Sequence, residues 1–107
     1  QIAGISGIIG RPEQPNRMTQ DDFLAALKQL LLRHPEFILL HEGPDYPPKN
    51  LDGNSEIRSV IEKSPANLIF CGHRHWPTPL INLKNGTQIV NVDKRVVILL
   101  KDSTFAA

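Results

Sequence analysis

The stretch "NLIFCGHRHW", residues 67–76, decides the fold. Its apolar run ends at a glycine, and two histidines two positions apart follow at once. An earlier stretch, "EFILLH" at 36–41, has the same plan: a short apolar run ending in a histidine. Apolar runs of this length without alternation suit strands covered on both faces. Between them, "SEIRSVIEKS" (55–64) carries Ile57, Val60 and Ile61 at helical spacing, with Asn54 or Ser55 as cap and Pro65 as stop. Strand, helix, strand is a βαβ unit, whose strands run parallel and end at the same sheet edge. Open α/β sheets place ligand sites outside those ends. His41, His73 and His75, three of the four histidines, are therefore expected at one edge, although 32 positions separate 41 from 73.

The flanks extend this plan. Ile2 to Ile9 reads as a strand interrupted at Ser6 and Gly7, with a close backbone neighbour on one side. "RPEQPNR" (11–17) is a loop. Thr19 caps a helix whose first turn holds Asp21 and Asp22, and whose apolar side is Phe23, Leu24, Leu27, Leu30 and Leu31. His34, before Pro35, is placed in its last turn, where a cation suits the helix dipole; its role is structural. "EGPDYPPKNLDGN" (42–54) is a long loop. Asn85-Gly86 predicts a hairpin, and Asp93-Lys94 a second one into "RVVILL" (95–100), which makes a three-strand meander.

The chain has 107 residues, 40% apolar and 21% charged, an ordinary balance for one small domain. A net charge of +1 gives no electrostatic argument for nucleic acid. No apolar run approaches the roughly 20 residues of a membrane helix. "QIAGISGIIG" lacks the basic leader of a signal peptide. Cys71 is the only cysteine, which rules out an internal disulfide and makes a cytoplasmic location the expectation. The chain starts at Gln1 rather than Met, from which a preceding segment is expected. "GISGIIG" matches neither a dinucleotide fingerprint, a phosphate-binding loop nor a nucleophile elbow, and reads as a glycine-permissive strand.

Neutral imidazole is a common ligand for zinc, iron, manganese and nickel. In extended chain, His73 and His75 face one side and Arg74 the other, while Gly72 supplies the backbone freedom to turn at the strand end. Surface histidines also occur as HxH pairs, so the predicted convergence with His41 is what favours a metal. Cys71 reads as a small packed side chain, with a soft ligand as the alternative. Trp76 either packs or walls a site. Glu42 and Asp45 are candidate partners that fix the His41 tautomer, or are simply solvated.

"FILLHEGP", a helix, "LIFCGHRHWPTPL" and "NGTQIVNVD" together resemble the C-terminal half of the calcineurin-like metallophosphoesterases, over roughly Ile2 to Leu100. The resemblance implies a sandwich of two sheets with helices outside, here as a βαβ unit followed by a meander. It implies a hydrolase with two divalent ions (manganese, iron or zinc), His41 and His73 sharing one ion and His75 holding its neighbour. Two such ions, about 3.5–4 Å apart, supply an activated water and neutralise a phosphoryl group.

The family's Asp-x-His, Gly-Asp-x-x-Asp and Gly-Asn-His motifs do not occur in these residues, and Asp45, Asp52 and Asp93 do not stand where those motifs would. Three histidines do not balance two dications. The expectation is therefore the C-terminal fragment of a phosphoester hydrolase, inactive alone, whose catalytic residues lie in a missing N-terminal half or a second chain. An isolated half also exposes a sheet face, so the chain is expected to dimerise or stay with that half. The alternatives are a non-catalytic domain of the same fold with a structural or partner-binding role, and an α/β domain with incidental histidines.

Overall fold

The computed structural model describes residues 2–11, 13–15, 17–94 and 97. In chain order the elements are β1 (Ile2–Ile5), β2 (Ile8–Ile9), β3 (Arg17–Met18), α1 (Gln20–Leu32), β4 (Phe37–Leu40), a 3-10 turn (Pro47–Lys49), α2 (Ser55–Glu62), β5 (Leu68–Cys71), β6 (Leu80–Asn82) and β7 (Gln88–Asn91). Five strands form one mixed sheet in the order β1-β4-β5-β7-β6. The first four are parallel and β6 is antiparallel to β7 at the edge. β2 and β3 form a separate two-stranded parallel ladder.

The expected βαβ unit is β4-α2-β5, and β1-α1-β4 is a second. α1 starts where Thr19 Oγ1 accepts from the Asp22 N–H (3.1 Å). α2 starts where Asn54 Oδ1 accepts from the Glu56 and Ile57 N–H groups (2.9 and 3.1 Å). Phe23, Leu27 and Leu31 of α1 and Ile57 and Ile61 of α2 are buried against Ile38, Leu40, Ile69, Cys71, Ile81 and Ile89 of the sheet. Each fully buried aliphatic or aromatic side chain in that layer contributes roughly 1.5–3 kcal/mol.

The Ile2–Ile9 strand is split as its sequence suggests, with Ile2–Ile5 in the main sheet and Ile8–Ile9 in the small ladder. The close neighbour is Leu39: a Cβ on Gly4 would lie 2.7 Å from its carbonyl oxygen. Arg17, expected as the end of the 11–17 loop, forms β3 together with Met18. His34 is not in the last helical turn. α1 ends at Leu32, and His34 follows with φ +49, its N–H donating to Leu31 O (3.2 Å), which is how a left-handed residue closes a helix.

β4 departs from its expectation in a way that bears on assembly. Ile38 and Leu40 are buried, but Leu39 between them is 48% exposed. The described helices pack on one face of the sheet only. Ile2, Leu39 and Leu80 on the other face are exposed, and Phe37 and Phe70 meet there edge to face at 6.1 Å.

The Asn85-Gly86 hairpin joins β6 to β7, with Gly86 at φ +90. The third run of the expected meander, 95–100, lies outside the described residues apart from Val97. No described helix is long and apolar enough to cross a membrane.

Candidate metal centre

β4 and β5 are parallel and in register from Phe37↔Leu68 to Leu40↔Cys71, so both chains leave the sheet at one edge. His41 leaves β4 tied back to β1, its N–H donating to Ile5 O (3.1 Å). His73 follows β5. Their rings meet edge to face, centroids 5.4 Å apart and planes at 67°. The convergence expected from the strand order is thus present for this pair. Both rings line an open groove of about 670 Å³ that also takes in Ser6, Leu39, Phe70 and Asp93.

The "GHRH" segment is not extended. His73 adopts φ +68, and the Arg74 N–H bonds back to Gly72 O at 2.8 Å, a three-residue turn centred on His73. The alternation that would set His73 and His75 side by side therefore does not apply. The left-handed residue is His73, not Gly72, and a left-handed backbone costs a non-glycine residue roughly 1–2 kcal/mol. Arg74 is not among the residues that line the groove with His41 and His73; with Glu42, Asp52 and Trp76 it lines a small neighbouring cavity.

His75 is engaged by the end of the β7 hairpin. Its Nδ1 lies 3.0 Å from Asp93 O and 3.8 Å from Asp93 Oδ2. A carbonyl oxygen only accepts, so this contact places a proton on Nδ1. Among the described residues, no group of three or more His, Cys, Asp or Glu side chains is arranged to hold a metal ion.

The carboxylates assort differently from the expectation. Asp45 accepts from Arg58 Nε at 2.6 Å, with Glu62 on the other side of the guanidinium at 3.4 Å; the Asp45 bond chiefly raises the Arg58 pKa. Asp45 is therefore a loop-to-helix tie and not a partner of His41. Glu42 faces His73, with Oε2 3.7 Å from Nε2. That oxygen is buried and has no hydrogen-bond partner among the described residues. Asp93, set aside in the sequence as misplaced, meets His75 only because the chain turns at Asp93-Lys94 after β7.

Cys71 is buried beneath this edge, and burial pushes its thiol pKa up to about 12. A thiol held neutral is a packing group. Trp76 packs as well: it is 1% exposed, and its Nε1 donates to Asp52 O (2.7 Å).

Two imidazoles sharing one tetrahedral zinc, with Zn–N near 2.0–2.1 Å, have centroids roughly 5 Å apart. The observed 5.4 Å matches that separation, and an unbonded buried carboxylate oxygen stands beside it. In separation alone this pair fits one shared ion; His75 does not line the groove beside it. Compared with known proteins, the chain matches no family model, no curated protein and no solved structure.

Proposed function

We propose that this chain carries the histidine side of a two-metal phosphoester hydrolase centre. The carrying observation is the approach of His41 and His73, far apart in sequence, to a centroid separation of 5.4 Å at the C-terminal edge of parallel strands. The left-handed backbone at His73 supports the reading: an imidazole is kept where glycine would cost less. So does the resemblance to the calcineurin-like metallophosphoesterases, which orders a strand-end histidine before Gly-His-x-His.

His41 and His73 would hold one ion and His75 its neighbour. Bound divalent ions supply Lewis-acid charge neutralisation and a water of lowered pKa. This chain's own part is to present the His41 and His73 imidazoles at the groove and to keep Glu42 beside His73. The acidic ligands and the group that protonates the leaving oxygen come from outside these residues, in an upstream half or a second chain.

The one-sided helix layer supports the sandwich. Ile2, Leu39 and Leu80 expose 64%, 48% and 45% of their surface on the sheet face that a second sheet would cover. A second sheet there, carrying Asp-x-His, Gly-Asp-x-x-Asp and Gly-Asn-His, would complete both the core and the centre.

The test uses the gene product that contains this sequence. Metal content and hydrolysis of bis-p-nitrophenyl phosphate with added manganese are measured for the wild type and for His41→Ala and His73→Ala. Two ions per domain are expected. Either substitution should lower kcat/KM by at least roughly 100-fold, the upper range for loss of even an outer partner of a metal ligand. A double variant (His41→Ala with His73→Ala) of unchanged metal content overturns the reading and favours a non-catalytic domain, as does a gene product without those three motifs unless a second chain supplies them.

A further inference from the structure

The segment around His75 is held by one buried side chain. Asn91, the last residue of β7, is 1% exposed. Its Nδ2 donates to Arg74 O at 2.8 Å. Its Oδ1 accepts from the Trp76 N–H at 3.4 Å and from the Asp93 N–H at 3.3 Å. The carboxamide thus grips the residue before His75, the residue after it, and the residue whose carbonyl meets the His75 ring.

We propose that Asn91 is the positioning residue of His75: by fixing the 74–76 turn and the Asp93 peptide together, it imposes the Nδ1–H tautomer and presents Nε2 as the ligating atom. The proposal deepens the metal reading and rests on it for the role of Nε2. The chemistry is that of a metal-binding histidine whose second nitrogen donates to a backbone carbonyl. Asn suits the position because it offers a donor and an acceptor at once. Asp keeps the shape and the acceptor but turns the Arg74 contact into two opposed oxygens.

The strands explain why this residue carries the task. β5 and β7 are parallel and paired from Leu68↔Gln88 to Cys71↔Asn91, so the end of β7 lies beside the start of the histidine turn. The backbone continues the link, with the Val92 N–H donating to Cys71 O at 2.9 Å. A side chain at 91 is therefore within reach of residues 74–76, and only a short polar one can serve both strands' ends.

The test is the tautomeric state of His75 in the metal-free gene product that contains this sequence, read from long-range proton–nitrogen correlation spectra. The spectra are recorded at about pH 8.5, above the model-peptide imidazole value of about 6.5. The wild type is expected to show a pyrrole-type Nδ1 and a pyridine-type Nε2. Asn91→Asp should shift the ring toward the Nε2–H form that free histidine prefers. Asp93→Ala should leave the pattern unchanged, because the acceptor is the main-chain carbonyl. A wild-type ring in the Nε2–H form overturns the proposal, and that measurement needs no variant to fold. An Asn91→Asp spectrum identical to wild type, or loss of the pattern in Asp93→Ala, overturns it equally. Zinc added afterwards separates the two readings: a wild-type His75 Nε2 signal that does not move overturns the metal reading and leaves the tautomer assignment standing.

Discussion

Replacing Gly53 by alanine tests how the loop between His41 and α2 is closed. The loop folds back on itself, with the Asn54 N–H donating to Gly43 O at 3.0 Å and Pro44 bridging Asn54. A Cβ on Gly53 would lie 2.1 Å from Pro44 O, 2.3 Å from Pro44 C and 2.6 Å from Asp45 N. All three are backbone atoms, so no rotamer relieves the clash. The two strands of the loop must part by about 1 Å to restore a 3.0 Å contact, which also strains the Asn54–Gly43 bond. Overpacking costs roughly 1–3 kcal/mol and the weakened hydrogen bond roughly 1 kcal/mol. Reduced unfolded-state entropy returns about 0.4–1 kcal/mol. The net loss is about 2–3 kcal/mol, or roughly 10–20 °C in Tm. Gly72→Ala is the internal control, since a Cβ there meets no atom within 4 Å, and its stability should stay within about 0.5 kcal/mol of wild type or rise slightly. Equilibrium urea unfolding, with calorimetry for Tm, measures both. Gly53→Ala as stable as wild type, or Gly72→Ala the more damaging of the two, refutes the reasoning.

Asn85→Ala should destabilise by about 2 kcal/mol in the same unfolding assay, because Asn85 Nδ2 donates to Ile61 O and Ser64 O (2.8 and 2.7 Å) at the end of α2 while Oδ1 accepts from the Thr87 N–H (3.1 Å). Asn85→Asp, which keeps the acceptor but sets a carboxylate oxygen against two carbonyl oxygens at the negative end of α2, should be no more stable than Asn85→Ala. Cys71 predicts a pH dependence. Its folded pKa of about 12 lies above the unfolded value of 9.0, so the unfolded chain gives up the proton first. Stability contributed by the neutral thiol is complete below about pH 9 and falls as pH rises toward 12, by up to about 1.4 kcal/mol per pH unit. Cys71→Ala should flatten that decline. In the native state at pH 8 the thiol should react with a maleimide only as fast as the protein opens.

Local physics made much of the fold legible. Thr19 and Asn54 announce their helices because a short side-chain acceptor at the first turn satisfies an otherwise unpaired N–H. The helical spacing of Phe23, Leu27 and Leu31, and of Ile57 and Ile61, names the buried faces, and Asn85-Gly86 names the hairpin. The β3 pairing was not legible, since two residues after a proline-rich loop carry no periodic signal. Nor was the one-sided burial of β4, because an apolar run reads the same whether its second face is covered within the chain or by another sheet.

The candidate site divides along the same line. Sequence order alone determined that His41 and His73 end neighbouring parallel strands, since the handed βαβ connection leaves little choice of edge. Only the tertiary structure decided what each side chain meets there. The left-handed turn at His73 separates it from the regular alternation that its spacing from His75 suggests. Asp45 goes to Arg58, Glu42 to His73, and Asp93 to His75, and none of these pairings has a sequence signature. The Asn near the end of "NGTQIVNVD" belongs to the resemblance, but its contacts with the 74–76 turn appear only when β7 is laid beside β5. Periodicity and capping are short-range and repeat along the chain, whereas these contacts depend on where the strand ends meet in space.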